Sequence, residues 1–295
     1  MPNPLPPGIE VREARVEDAQ SLAALLASAP DDGARYQFPK ILIYATELQQ
    51  LHMDWIPSAI RSPRSLMRLA LLPIKGEGEE GQMVVGFSSW LRHEADPDNP
   101  GRTRAVLFEL EANGISPSLR FYSVASLTQD PTYLAEPKNG NGKPKRNIRE
   151  RSKALEPDEK RAEAIRRARD RLPPSPVQSI PCYELGGLAV HSDYNGCGIG
   201  SLLVRWGLER AAEQGVPVIT TGETRGVAFY ENAMGFQRLR GSEFWLDNQG
   251  RDIDEESVRA GNDEWKRNKG GLSGAELIWC PKGCSVEIRG HVYCG

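Results

Sequence analysis

The hydrophobic and polar positions of this chain alternate in short blocks that predict a mixture of strands and helices. Alternation with a period of two indicates a half-buried strand, and apolar residues three or four positions apart indicate a helix with one buried face. Residues 9–14 alternate as a strand, and residues 17–29 and part of 39–60 have helical spacing. Apolar runs at 65–72 and 83–92 flank a glycine-rich turn, which predicts a β-hairpin.

The clearest pattern lies between residues 183 and 236. An apolar strand at 185–190 leads into a turn with three glycines, and an amphipathic helix follows at 201–214. A second amphipathic helix ends near Gly235. Three further strands are predicted, at 217–221, 243–246 and 275–280. The succession of strands and helices predicts an α/β (α+β) fold.

The glycine-rich turn favours the binding of a phosphate-like anion. It consists of Asn195, Gly196, Cys197, Gly198, Ile199 and Gly200. Glycines at alternate positions let the backbone amides converge, and the following helix adds the positive end of its dipole. A triphosphate loop is excluded because no Lys follows the glycines, and a dinucleotide fold is disfavoured because the polar residues 191–195 separate the strand from the turn.

This turn closely resembles the acetyl-CoA-binding signature of the GNAT superfamily of N-acetyltransferases, Gln/Arg-x-x-Gly-x-Gly/Ala, with Asn195 in place of the usual Gln or Arg. The resemblance implies one domain with a mixed, mostly antiparallel central sheet, flanked by helices and splayed at the cofactor strand. It is strong at 183–236 and weaker over the rest of 8–93 and 181–282. The domain is therefore expected to span 8–282, followed by a carboxyl-terminal tail at 283–295.

The resemblance also implies that acetyl-CoA is the acyl donor and is held by backbone contacts. The strand residues expected beside the pantetheine arm are Leu188, Ala189 and Val190. The residues expected around the pyrophosphate are Asn195, Gly196, Cys197, Gly198, Ile199, Gly200 and Ser201. A backbone amide near Leu188 or Val190 is the expected oxyanion donor, and the side chain of Cys197 is expected to face solvent.

Tyr230 is the expected general acid. The run from Phe229 to Phe236 looks like the family's helix ending in Phe-Tyr-x-x-x-Gly-Phe, whose Tyr is often placed to protonate the coenzyme A thiolate. Here four residues instead of three separate Tyr230 from Gly235. The alternative is that Phe229 and Tyr230 only form the buried face of an amphipathic helix.

Glu184 is the expected general base, because attack by a protonated amine requires removal of a proton. In the histone-acetyltransferase branch of the superfamily, a Glu six residues before the last cofactor-pairing position has this role, and Glu184 lies six residues before Val190. The alternatives are an exposed carboxylate at a strand end, or a catalytic role for Glu109 or Glu111.

A long charged insertion at 94–180 separates the predicted hairpin from the cofactor strand. It is expected to be partly helical and flexible, with one helix near 119–127. Its segment 143–171 contains 12 Lys or Arg residues and 6 Asp or Glu residues. Three interpretations of this basic segment are open. It can be a solvated helical hairpin, or a lid whose cations meet an acidic substrate or the coenzyme A phosphates. It can also be a docking element for nucleic acid or an acidic protein.

Composition favours a cytoplasmic or nuclear protein without a membrane partner. The chain has 295 residues, 39% hydrophobic content and a net charge of −3, which argues against nucleic acid as the main partner of the whole protein. The amino terminus lacks the features of a signal peptide, and no apolar run approaches the roughly 20 residues of a membrane helix.

The odd number of five cysteines indicates reduced thiols rather than a disulfide framework. Four potential zinc ligands lie near the carboxyl terminus: Cys280, Cys284, His291 and Cys294. Their spacing does not give the usual paired ligands. The sequence therefore predicts no metal site there, and favours a β-hairpin with incidental thiols over a zinc site.

The expected function is transfer of an acetyl or another small acyl group from acetyl-CoA to an unidentified primary amine. Attack is expected to be direct, in a ternary complex, with Glu184 or a water that it holds as base. The alternative is a catalytically degenerate acyl-CoA sensor or scaffold. Asn195 and the longer spacing after Tyr230 favour that alternative, whereas the presence of Glu184 and Tyr230 favours the enzyme.

Overall fold

The computed structural model describes residues 4–29, 31–38, 45–76, 79–99, 101–106 and 157–295. Glu109 and Glu111, the expected helix at 119–127 and the part of the basic segment that precedes residue 157 lie outside the described residues.

Strands and helices alternate through the described ranges. The strands are β1 (Glu10–Glu13), β2 (Ser65–Gly76), β3 (Glu79–Ala95), β4 (Thr103–Val106), β5 (Cys182–Val190), β6 (Val218–Glu223), β7 (Gln237–Arg238), β8 (Phe244–Leu246), β9 (Leu272–Trp279), β10 (Ser285–Ile288) and β11 (His291–Cys294). The helices are α1 (Ala19–Ser28), α2 (Asp32–Gln37), α3 (Ala45–Ile60), α4 (Glu159–Arg171), α5 (Ile199–Gln214), α6 (Thr224–Met234) and α7 (Glu255–Arg259).

One mixed sheet organises these elements. Its strands follow the order β1-β2-β3-β5-β6-β9-β7, with β4 paired to β3 and β8 paired to β9. In the described part of the chain, β5 and β6 are the parallel pair, and the other ladders of this sheet are antiparallel. The expected mixed, mostly antiparallel sheet is therefore confirmed, including the β2–β3 hairpin.

The sheet splits between β5 and β6. Their parallel ladder ends where Leu185 lies beside Thr220, although β5 continues to Val190 and β6 to Glu223. On its other side, β5 stays paired to β3 as far as Val190. The register between these two strands shifts at Gly186, which forms a bulge in β5. The expected splay at the cofactor strand is thus confirmed.

Helices cover both faces of the sheet. On one face, α5 and α6 pack on β3, β5, β6 and β9, with Trp90, Leu185, Val204, Leu208 and Tyr230 among the buried residues. On the other face, α1 and α3 pack on β2 and β3, with Leu22, Ile56, Leu69 and Phe87 among the buried residues. The apolar stripes of the helices thus meet the apolar faces of the strands, as the hydrophobic pattern predicts.

Parts of the expected insertion and of the expected carboxyl-terminal tail pack into the core. In the insertion, β4 extends the sheet beside β3, and α4 packs through Ala164, Ile165 and Ala168 against α2 and β8. This stripe is weak in the sequence because it contains two alanines among many charged residues. The segment expected as a tail contains the β10–β11 hairpin, which buries Ile288 and Tyr293.

Substitution of Gly207 by Ala tests the close contact between α5 and the sheet. A Cβ at Gly207 would lie 2.1 Å from the ring of Trp90, which is completely buried and cannot withdraw. We expect the free energy of unfolding to fall by about 1–3 kcal/mol, because overpacking outweighs the better helix propensity of Ala. Urea unfolding measures the change.

The control is Gly200→Ala in the same helix, where the nearest atom to a new Cβ lies at 3.5 Å. This variant should retain the stability of the parent protein. Equal stability of Gly207→Ala and the parent would contradict the packing described above.

Candidate functional site

The glycine-rich turn leads directly into the start of α5. Gly196 and Gly198 have φ angles of +78° and +80°, in the left-handed region that favours glycine. The amide of Leu202 donates to the carbonyl of Gly198 at 3.0 Å, which closes the first turn of the helix. The amides that precede Leu202 in the helix therefore have no acceptor within it, and the helix dipole makes them attractive to an anion.

The expected pyrophosphate ligands all lie in or beside this turn. Gly198 precedes the first residue of α5, Ile199, whose side chain is buried and anchors the turn to the core. Asn195 is exposed, whereas Cys197 is only half-buried and so faces solvent less fully than the sequence indicates.

The end of β5 presents backbone rather than side chains to the gap beside it. Leu188 and Val190 pack toward α5, and Ala189 packs toward the opposite face. Past Leu185, pairing joins β5 to β3 and not to β6, so one edge of β5 borders the split. A linear group that enters the split can therefore pair with this strand edge.

Tyr230 lies beside the vertex of the split. The hydroxyl of Thr220, at the last rung of the parallel ladder, donates to the carbonyl of Leu185 at 2.9 Å. Burial raises the pKa of Tyr230 to about 12, while a hydrogen bond with Thr220 acts in the opposite direction. The phenol is therefore protonated at neutral pH. Its ring packs at 5.2 Å from that of Phe229 and at 5.4 Å from that of Phe236, measured between centroids.

Glu184 points to the other face of the sheet. Its neighbours Tyr183 and Leu185 belong to the core formed with α5 and α6, so alternation along the strand places Glu184 opposite. Its Oε2 lies 2.7 Å from Nε2 of His93 on β3. The side chain of Glu184 is 32% exposed, so its carboxylate is held in place and still reachable from solvent.

The face that carries Glu184 is open near the split. Thr221 in β6 and Gly186 in β5 are exposed although both lie in interior strands of the sheet. Ile219 packs on the side of the sheet away from α5, so Thr221 and Glu223 share that side with Glu184 by alternation. The amino-terminal end of α2 borders this opening, because the amide of Gly33 donates to Glu223 Oε2 at 2.5 Å. We call the opening between Gly186, Thr221 and Glu223 the acceptor-side cleft.

Glu223 is an unusual carboxyl group. It retains some accessible surface but is surrounded by protein, as expected at the bottom of a cleft. Burial, together with the nearby Asp31, raises the pKa of Glu223 to about 8. Burial also raises the pKa of Asp31, which lies at the start of α2 and accepts a hydrogen bond from the amide of Ala34 at 2.5 Å.

The sequence names the turn, the end of β5, Glu184 and Tyr230 as candidates, and their roles stay predictions. It does not indicate the contact of Glu223 with α2. The strand expected at 217–221 continues to Glu223. One signal in the sequence could have identified Glu223: it lies directly between a β-branched strand and a helix. Strand ends of this kind often carry functional groups.

The four potential zinc ligands do not converge. In the β10–β11 hairpin, Cys294 lies opposite Ser285 at one end, whereas His291 lies opposite Ile288 at the other. Burial, with a smaller effect of Cys284 and Cys294, raises the pKa of the Cys280 thiol to about 11. Among the described residues, no three His, Cys, Asp or Glu side chains form a group that could hold a metal ion. That the protein binds no metal remains a prediction.

No helix in the described ranges combines the length and apolar character needed to cross a membrane.

Comparison with known proteins gives one family match. Residues 167–236 match the model of the acetyltransferase (GNAT) family, a segment that contains the turn, β6 and α6. A search of curated protein sequences finds no match.

Solved structures similar to the chain include proteins from three organisms. One is a Corynebacterium glutamicum protein described as "histone acetyltransferase HPA2 and related acetyltransferase". It has 15% identity and a TM-score of 0.42, and the match covers 95% of this chain and 99% of that protein's chain. A GNAT-family acetyltransferase from Streptococcus pneumoniae has 13% identity and a TM-score of 0.37, covering 92% and 99%. NAA60 from Arabidopsis thaliana, in complex with a bisubstrate analogue, has 11% identity and a TM-score of 0.41, covering 93% and 99%.

The variant Glu223→Gln tests the buried carboxyl group. Because folding raises the pKa of Glu223 to about 8, its neutral form is favoured in the folded state. The parent protein should therefore lose stability as the pH rises from the ordinary carboxyl pKa through about 8, by roughly 1–3 kcal/mol after allowance for solvent access. Gln remains neutral and can accept the same amide hydrogen, so the variant should lack this loss.

Urea unfolding at about pH 5, 7 and 9 measures both profiles. The control Glu213→Gln removes an exposed carboxylate on α5 and should follow the parent. Parallel profiles of the parent and Glu223→Gln would show that the folded protein does not perturb this carboxyl group.

Proposed function

We propose that this chain, which carries a GNAT-family segment at 167–236, transfers an acetyl or another small acyl group from coenzyme A to a primary amine. The observation that carries the proposal is the position of the split. It opens between an anion-binding turn at the start of α5 and a cleft on the opposite face, so that two substrates can meet at the vertex.

Acetyl-CoA is the proposed donor. Its pyrophosphate would bind the amides of the turn from Gly196 to Ser201, with Asn195 and Cys197 at the rim. The pantetheine arm would lie along the edge of β5 from Leu188 to Val190, where backbone groups border the split. This arrangement would bring the thioester toward the vertex at Leu185 and Thr220.

The polarity of the two faces supports a direct transfer in a ternary complex. The amine would enter through the acceptor-side cleft, where Glu184 or a water that it holds removes a proton from the nitrogen. The nitrogen then attacks the thioester carbonyl, and a backbone amide near Leu188 or Val190 stabilises the oxyanion. As the carbon–sulfur bond breaks, Tyr230 donates a proton to the thiolate from the face that carries α6. The nitrogen releases its second proton to water as the amide forms, and the tyrosinate regains a proton from water.

The contacts of the two proton-transfer groups fit these roles. His93, at 2.7 Å from Glu184, would fix the orientation of the carboxylate. Burial raises the pKa of Tyr230 to about 12, which keeps the phenol protonated but makes its proton harder to release, and the hydrogen bond with Thr220 acts in the opposite direction. A general acid and a general base on opposite sides of the split would not compete for one proton.

Glu184→Gln and Tyr230→Phe test these roles. Each should lower kcat by roughly 100- to 10,000-fold, the usual effect of losing a general acid or base, and leave the Kd for acetyl-CoA unchanged. Thiol release with a panel of polyamines, aminoglycosides, lysine peptides and free amino-terminal peptides measures turnover, and calorimetry measures donor binding. Tyr183→Phe is the matched control, because Tyr183 directly precedes Glu184 in β5. The hydroxyl of Tyr183 accepts a hydrogen bond from Nε2 of Gln214 at 2.9 Å.

Normal turnover by either variant would contradict the role of that residue. A parent protein that binds acetyl-CoA but acetylates none of these amines would favour the sensor or scaffold, the second function that Asn195 and the longer spacing after Tyr230 support.

A further inference from the structure

Three arginines from distant parts of the sequence meet beside the acceptor-side cleft. Arg35 belongs to α2, Arg225 is the second residue of α6, and Arg267 lies in the loop that precedes β9. We call these three residues the arginine triad. None of them has a part in the transfer chemistry proposed above.

The triad is organised around Asp32. Oδ1 of Asp32 lies 3.0 Å from Nε of Arg267 and 3.5 Å from Nε of Arg225. The side chain of Asp32 is 7% exposed, whereas those of Arg225 and Arg267 are 56% and 40% exposed. Asp32 is therefore a buried anchor, and the two guanidinium groups extend from it toward solvent. Both contacts are ion pairs without hydrogen-bond geometry, because Oδ1 of Asp32 has no hydrogen-bond partner among the described residues.

Two exposed guanidinium groups share one buried carboxylate. Arg225 and Arg267 both contact Asp32, and Arg35 lies close enough to be influenced by all three charges. Burial lowers the pKa of Arg35, and the proximity of Arg267 and Arg225 lowers it further, although Asp32 and Asp31 act in the opposite direction. Glu223, whose pKa burial raises to about 8, contributes little negative charge near neutral pH. Among these described side chains, Arg225 and Arg267 thus bring two positive charges to the one carboxylate of Asp32, and both remain open to solvent.

The triad lies beside the path proposed for the acceptor. Asp32 precedes Gly33, whose amide binds Glu223 at the end of β6, and the amide of Arg225 lies 3.3 Å from Asp32 Oδ2. The anion-binding turn lies across the sheet, at the start of α5. The triad is thus placed to contact the part of an acceptor that remains outside the cleft.

We propose that the arginine triad binds an anionic group of the acceptor, so that the substrate is an amine that also carries a carboxylate or a phosphate. This inference rests on the proposed function. Guanidinium groups bind both anions through paired N–H donors, and an anion there would offset the second of the two positive charges at Asp32.

Calorimetric titration with inorganic phosphate tests the site directly. Saturating coenzyme A is present to occupy the turn at α5, and the ionic strength is held constant. The parent protein should bind phosphate, and the double variant Arg225→Gln/Arg267→Gln should bind it at least about tenfold more weakly. Arg225→Lys/Arg267→Lys retains the charges and should have an intermediate affinity. Arg205→Gln, an exposed position on α5, should behave as the parent.

The affinity for coenzyme A, measured in the same preparations, shows whether each variant is folded. If the double variant no longer binds coenzyme A, the single variant Arg267→Gln is used in its place. Absence of phosphate binding by the parent, or equal binding by the parent and the Gln variant, would overturn the inference.

A second arm separates the acceptor from the 3′-phosphate of coenzyme A as the source of the anion. The ratio of affinities for coenzyme A and dephospho-coenzyme A should be the same in the parent and the Gln variant. A ratio that falls toward one in the variant would assign the triad to the donor and overturn the inference.

Turnover then separates this inference from the proposed function. Among the amines that the parent acetylates, those with a carboxylate or phosphate should have the higher kcat/KM, and the Gln variant should lose this preference by at least about tenfold. Acetylation restricted to amines without an anionic group would overturn the inference and leave the proposed function intact. Failure to bind acetyl-CoA would instead contradict the proposed function, on which the inference rests.

Discussion

The termination of the parallel ladder between β5 and β6 is the constraint on which the rest of the site depends. Each strand satisfies its other edge independently, β5 against β3 and β6 against β9, so the two can separate past Leu185 and Thr220 without losing their places in the sheet. A continuous ladder would cover the strand edge and close the cleft. The split is stable because its flanking pairs are antiparallel, well packed and buried.

The two faces of the sheet acquire different properties from this split. On the face of α5 and α6, close packing of Gly207 on Trp90 holds the helix against the sheet, and its first turn is fixed beside the strand edge. On the other face, interior strand positions such as Thr221 remain exposed, and the charged start of α2 borders them. An apolar face with the glycine-rich turn thus lies opposite an open face with carboxylates and arginines. This asymmetry supports separate entry of donor and acceptor.

Local features of the site could be predicted from the sequence, whereas contacts between distant residues could not. The turn at Gly196 and Gly198 follows from the need for left-handed backbone angles, and the strands follow from their apolar alternation. The pairing of Gly33 with Glu223 joins residues 190 positions apart, and no local pattern indicates it. The arginine triad depends in the same way on three separate elements around Asp32. The packing of α4 was hidden because its buried stripe is narrow and its surface strongly charged.

Calorimetric titration with acetyl-CoA is the most direct test that the split is a donor site. Gly198→Glu would place a negative charge in the turn and force a side chain into a φ of +80°. Gly290→Glu is the matched control, since it introduces the same charge at a φ of +70° in the exposed turn between β10 and β11. The parent and the control should bind with a Kd on the order of micromolar, and Gly198→Glu should bind at least about tenfold more weakly. Absence of binding by the parent, or unchanged binding by Gly198→Glu, would contradict the account.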